Sequence, residues 1–145
     1  MLKVLFTGNH ENHYNDNGIY YDIYPLYCAV TLIQENGKNI LIDTGFYSAT
    51  DMLMDKLREN NLKPDDITDI INTHLHPDHV ANNVLFKNAT KYTPSGIAFP
   101  DGKARVYLDR SKITLPGTLE ILQTPGHTLS HCSVIYKWEG KTYVI

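Results

Sequence analysis

The sequence predicts a mixed α/β (α+β) fold, and three observations predict it. Short apolar, β-branched runs bounded by turn formers fill the first half, one segment there has helical spacing, and the second half is rich in strand-like runs. Hydrophobic residues are 42% of the 145, charged residues 20%, and the net charge is −3. That length fits one domain, residues 1–145, burying roughly two-thirds of its unfolded surface. The charge implies no basic face, so nucleic-acid binding gains no support from it, although a bound metal attracts phosphate.

Residues 2–8 (LKVLFTG) read as a first strand, too short for the apolar core of a signal peptide and without a small-residue cleavage site. Residues 8–18 (GNHENHYNDNG) read as a polar loop rich in turn formers, placing His10 and His13 on a solvated surface or a pocket rim. Residues 27–33 and 40–42 are apolar runs separated by ENGKN, the signature of a hairpin with an Asn-Gly turn. Asp43-Thr44-Gly45 ends the second of them. Residues 50–60 carry Met52, Leu53 and Leu57 at helical spacing, with Thr50 or Asp51 as N-cap. Residues 67–74 (ITDIINTH) read as a buried strand that delivers His74 at its carboxyl end. Strands are then expected at residues 104–108, 112–115, 118–123, 132–138 and 142–145, the last two forming a hairpin across Glu139-Gly140. No run approaches the 18 apolar residues of a membrane span. Two cysteines, Cys28 and Cys132, read as buried apolar thiols in a reduced, cytoplasmic setting.

The chemistry concentrates in His74–His79, HLHPDH. By chance alone the pattern H-x-H-x-D-H would arise in roughly one chain per thousand of this composition. In extended chain alternate residues face one side, so His74, His76 and Asp78 converge while Leu75 points away. Pro77 biases His76 away from the α region, so no helix starts earlier and rotates these groups apart. Pro77 itself suits the first turn of a helix, where the tightening chain brings His79 beside Asp78. Catalytic zinc takes three protein ligands and keeps an open position. The third candidate is His127 in TPGHTLSH, where Pro125 ends a strand and Gly126 permits a sharp turn. His131, four residues on, reads as a packing or supporting residue rather than a ligand.

HLHPDH, with LIDTG upstream and TPGHTLSH downstream, resembles the metallo-β-lactamase superfamily over roughly residues 30–145. The resemblance implies an αββα sandwich with the metal site at one edge of its two sheets. It implies that His74, His76 and His127 hold a first metal and that Asp78 and His79 hold a second. Asp43 matches an aspartate that supports the site through hydrogen bonds; an ordinary strand-end turn is the alternative reading. His76 stands where flavodiiron relatives carry glutamate, and His79 where zinc β-lactamases with a cysteine ligand carry arginine. The sequence is therefore more similar to the glyoxalase II, lactonase and RNA-processing branches, although VANN after the motif departs from the commoner A-G-G-N. The family's bridging aspartate and last histidine have no counterpart before Ile145, which implies a domain incomplete at its C-terminus or completed by a second copy, and a second metal site with two ligands.

The expected function is a zinc-dependent hydrolase in which a metal-bound hydroxide attacks an ester, thioester or lactone and Asp78 orients it or takes a proton. Iron and manganese are compatible alternatives to zinc. A phosphodiesterase or RNA-processing nuclease, a mononuclear iron persulfide dioxygenase and an inactive metal-binding fragment are the competing readings. The expected partners are a small-molecule substrate and, for the fragment case, another copy of the chain; no membrane is expected.

Overall fold

Asn36 and Gly37 both adopt positive φ, 51° and 77°, and this two-residue turn folds Glu35 back onto Lys38. The hairpin it makes, β4 (Val30–Glu35) and β5 (Lys38–Ile42), is the spine of the molecule, which is described over residues 1–145 by a computed structural model. The remaining elements are β1 (Leu2–Phe6), β2 (Asn9–Tyr14), β3 (Tyr21–Tyr27), α1 (Thr50–Glu59), β6 (Asp69–Ile71), α2 (Pro77–Val80), β7 (Thr90–Thr93), β8 (Gly96–Ala98), β9 (Ala104–Val106), β10 (Glu120–Gln123), β11 (Cys132–Trp138) and β12 (Lys141–Val144). No helix is long and apolar enough to cross a membrane.

A seven-stranded mixed sheet runs β1-β4-β5-β6-β7-β8-β9, and β10-β11-β12 form a second sheet. Strands β5, β6 and β7 are parallel to one another; the remaining pairs are antiparallel. The parallel step from β5 to β6 passes through α1, as a parallel pair requires a crossover. Alternation along the central strands creates two cores. Leu32, Leu41 and Ile70 face Leu53 and Leu57 of α1, whereas Ile33, Ile40, Ile42 and Ile71 face Val134 and Tyr136 of β11. Each such side chain is nearly or fully buried, and burying one stabilises by about 1.5–3 kcal/mol. The layers are therefore helix, sheet, sheet, the first three of an αββα order.

Four expectations need correction. Residues 8–18 are not a loop: residues 9–14 form β2, which pairs with β3 from Asn9↔Tyr27 to Tyr14↔Tyr21. β2 is exposed throughout, so its ladder carries it without the apolar alternation that marks a strand in sequence. Neither Thr50 nor Asp51 caps α1. A 3₁₀ turn at Tyr47–Ala49 leads in, Ala49 takes the cap position, and the Thr50 hydroxyl donates to Asn82 Oδ1 instead. Residues 112–115 are not a strand. Asp109 accepts the Ser111 N–H to hold a 3₁₀ turn at Arg110–Lys112, and Ile113 and Leu115 enter the core between the sheets without a ladder. Finally, β7 and β8 were not anticipated. They form a tight hairpin in which Gly96 lies against β9; a Cβ there would collide with the Arg105 carbonyl oxygen.

Candidate metal centre

The site is built at the carboxyl ends of β5 and β6. β6 ends at Ile71, and residues 72–76 continue without helical structure until α2 begins at Pro77, with His76 extended at φ −67°, ψ 147°. The proline therefore sets the boundary as the sequence suggests. His127 arrives from the other sheet, in the connection between β10 and β11. That connection is tied back to the first sheet where Cys132 N–H donates to the Thr73 carbonyl at 2.9 Å.

The result is convergence. One ring nitrogen from each of His74, His76 and His127 lies within 4.8 Å of the other two. His127 Nε2 and His76 Nδ1 face each other at 3.0 Å. His74 is 2% exposed, and its Nε2 is a buried polar atom without a hydrogen-bond partner. An unpartnered buried nitrogen costs about 1–3 kcal/mol, so its aim toward two other imidazoles asks for an occupant. Burial first, and then the neighbouring His79, hold His74 down to about 4, which keeps its ring neutral at pH 7. Three neutral imidazoles around an orphaned lone pair fit a divalent metal, and imidazole suits zinc, iron and copper alike.

Asp43 organises the floor. It sits at φ +58°, a left-handed conformation that aspartate tolerates better than most residues. Its Oδ1 accepts the Thr73 N–H at 2.9 Å, and its Oδ2 accepts the Thr73 hydroxyl at 2.7 Å and His79 Nδ1–H at 2.7 Å. Because the Thr73 hydroxyl donates to Asp43, its oxygen accepts from His74 Nδ1 at 3.1 Å, and this fixes Nε2 as the free nitrogen of His74. The reading of Asp43 as a supporting group through hydrogen bonds is the one the geometry carries. Burial disfavours charge on His79, but the hydrogen bond and charge of Asp43 outweigh it and raise the ring. His79 Nε2 is left facing Asp78 Oδ2 at 3.4 Å. Asp78 and His79 thus lie beside the three-histidine cluster and outside it.

The VANN segment has a structural role. Asn82 is 3% exposed and donates to the carbonyls of Thr44 and Phe46, both at 3.0 Å. Asn83 donates to Asn72 Oδ1 at 2.8 Å and accepts from the Thr44 hydroxyl at 2.9 Å. These amides clamp the helix carrying Asp78 and His79 onto the DTG turn. Thr73, Asn82 and Asn83 were missed as site residues in the sequence; their position immediately beside the motif was the one available signal. His131 makes a hydrogen bond between its Nδ1 and the Thr124 hydroxyl oxygen at 3.0 Å and packs its ring 5.1 Å from that of His74.

A cleft of about 760 Å³ opens above the centre. His76, Asp78, His79 and His127 line one side, and Tyr21, Ile23, Leu26 and Tyr27 of β3 line the other, with His10 on the rim. His13 lies away from it, exposed, with Nε2 against the Tyr24 carbonyl at 2.9 Å. Both cysteines are buried and unpaired.

Comparison with known proteins places the chain in a family. The sequence matches the metallo-β-lactamase superfamily over residues 23–145. A probable metallo-hydrolase of Methanocaldococcus jannaschii is 39% identical over 138 residues, covering 94% of this chain and 63% of that protein. The metallo-β-lactamase domain-containing protein 1 of Xenopus laevis is 35% identical over 118 residues, covering 79% of this chain and 50% of that one. The chain thus spans about half to two-thirds of the length of these relatives. A crystal structure of a metallo-β-lactamase candidate from Thermotoga maritima superposes with TM-score 0.74 at 26% identity, covering 99% of this chain and 76% of that one. The family match over residues 23–145 and the 39% identical relative, with the shared fold, make this chain a member of the metallo-β-lactamase superfamily.

Proposed function

We propose that the chain carries the metal-binding half of a zinc-dependent hydrolase acting on a small ester, thioester or lactone. The observation that carries the reading is the convergence of His74, His76 and His127 around the unpartnered Nε2 of His74. These three residues would hold the metal. When bound, zinc supplies a Lewis acid and acidifies a water toward neutrality. Asp78, which lines the cleft with its Oδ2 3.4 Å from His79 Nε2, would accept and pass on the proton that hydrolysis releases. Asp43 and Thr73 fix the tautomer of His74, so its free nitrogen points inward without a conformational cost at binding. His79, held by Asp43, and Asp78 would bind a second cation with two protein ligands. The cleft volume suits a small molecule.

Metal analysis of purified protein tests this directly. The expected result is about one zinc per chain, lost in His76→Ala and in His127→Ala, with hydrolysis of a chromogenic ester or thioester depending on both residues. Zinc content unchanged by those substitutions would overturn it. Iron in place of zinc, with oxygen consumed in the presence of a persulfide, would favour dioxygenase chemistry on the same ligands.

A further inference from the structure

Two exposed patches serve neither the core nor the cleft, and they differ in charge. The first is the outer part of the β2–β3 hairpin. This two-stranded sheet pairs with neither larger sheet. Its anchors lie at its base, where Tyr27 packs edge-on against Phe6 and the Ser48 hydroxyl donates to the Leu26 carbonyl at 2.8 Å. A lone two-stranded hairpin is marginally stable in water, so the part beyond those anchors gains from being covered. Tyr21 and Ile23 line the cleft, but Tyr14, Ile19, Tyr20 and Tyr24 do not, and all four stand exposed, Ile19 at 80%. Residues 9–27 carry Glu11, Asp16 and Asp22 and no lysine or arginine.

The second patch is the far edge of the seven-stranded sheet. Phe99 N–H donates to the Lys103 carbonyl and Tyr107 N–H to the Ser95 carbonyl, so residues 103, 105 and 107 bond toward β8. Ala104 and Val106 therefore turn their N–H and C=O groups outward. Val106 and Leu108 are exposed beside them, Leu108 completely. Lys103, Arg105, Arg110 and Lys112 flank these apolar groups in sequence, and Arg105 is steadied over the Phe99 ring at 5.7 Å from its centroid. The nearby carboxylates are engaged locally: Asp101 pairs with Lys103 at 2.9 Å, and Asp109 accepts from Ser111. Arg105, Arg110 and Lys112 form no ion pair.

We propose that the β2–β3 hairpin of one copy of this chain docks on the β9 edge of another. Like patches repel: β9 against β9 sets Lys103 and Arg105 of both copies together, and hairpin against hairpin does the same for Asp16 and Asp22. The hairpin on β9 joins opposite charges and covers the exposed apolar groups of both. A membrane is the poorer occupant for the hairpin, because an anionic leaflet repels a tip with Asp16 and Asp22 and no cation. The contact joins two different surfaces, so it closes as a reciprocal pair or a ring, or else runs on as a filament.

This contact is independent of the metal centre, and its failure leaves the proposed hydrolase untouched. Sedimentation velocity of the full chain at increasing concentration reads it. The wild-type chain should associate as concentration rises. Raising salt from about 0.05 to about 0.5 M should weaken the association roughly tenfold, because the opposed charges are screened. Tyr20→Lys in the hairpin and Arg105→Glu at the edge should each weaken it by at least roughly tenfold. Mixed at the highest concentration, these two variants should recover a dimer, since each keeps the patch that the other lacks. Ile19→Lys and Leu108→Glu repeat the two arms should either first variant misfold. Association that survives a variant of either patch would overturn the proposal, as would a mixture that stays monomeric. A wild-type chain monomeric at every concentration would also overturn it and leave the two patches to other partners.

Discussion

Two buried aspartates sit at opposite ends of neighbouring parallel strands, and they do different things. Asp69, 1% exposed, opens β6; its Oδ2 accepts from Lys38 Nζ at 2.8 Å and from the Thr68 hydroxyl at 2.7 Å. Asp43, 4% exposed, closes β5 and accepts from Thr73 and His79. At the amino end a lysine neutralises the carboxylate and rivets β5 to β6. At the carboxyl end a neutral hydroxyl and an imidazole receive the charge, and through them it orients the groups that face the cleft. Equal burial does not mean equal purpose; the partner decides.

The largest effect should come from breaking the rivet. Lys38→Ala leaves Asp69 buried and short of its counter-charge. It should cost about 3 kcal/mol in urea unfolding, the low end for a buried pair because Lys38 itself is partly exposed. Zinc per chain should stay unchanged; metal lost along with stability would dissolve the distinction between the two ends.

Alkaline pH probes the other end. Burial first, and then the charge of Asp43, push the Cys132 thiol from 9.0 up to about 11. Between those values the unfolded chain gives up a proton that the folded chain keeps. Stability from this group is thus full below pH 9 and lost as pH rises through 11, by on the order of 2–3 kcal/mol in all. Urea midpoints measured across that window should fall, and Cys132→Ala should flatten the fall. Near the other aspartate, burial and Asp69 raise Tyr92 to about 12, so its contribution should be lost at still higher pH.

A smaller effect in free energy, but a more specific one, is expected from Asp43→Asn. It disturbs the Thr73–His74 relay without removing a ligand of the three-histidine centre, and zinc affinity there should fall roughly 10–100-fold in competition with a chelator. Asp69→Asn should leave that affinity where it was. Equal losses from both substitutions would mean that the metal centre senses only global stability.

The legible part of this molecule was local. The Asn36-Gly37 turn needs two positive φ values, and Pro77 restricts the residue before it; both constraints act within a few residues and can be read in order. The alternation in HLHPDH and the helical spacing around Leu53 and Leu57 are of the same kind. What escaped was set by distant partners. β2 exists because β3 pairs with it, the Thr50 hydroxyl was drawn from capping by Asn82, and residues 112–115 were drawn from strand pairing into the core between two sheets.

The same division holds at the site. The sequence by itself determined that a metal-binding motif stands at the end of a buried strand, because backbone periodicity fixes which side chains share a side. The strand end and turn in TPGHTLSH offered His127 as a third candidate, and the resemblance to a family added the supporting role of Asp43. Tertiary structure decided that His74 Nε2 is left without a partner, that Thr73 sets its tautomer, and that paired asparagines clamp α2. Each of these depends on residues brought together from different strands, where a shift of a few ångströms makes or breaks a hydrogen bond. No spacing along the chain encodes a distance of that kind.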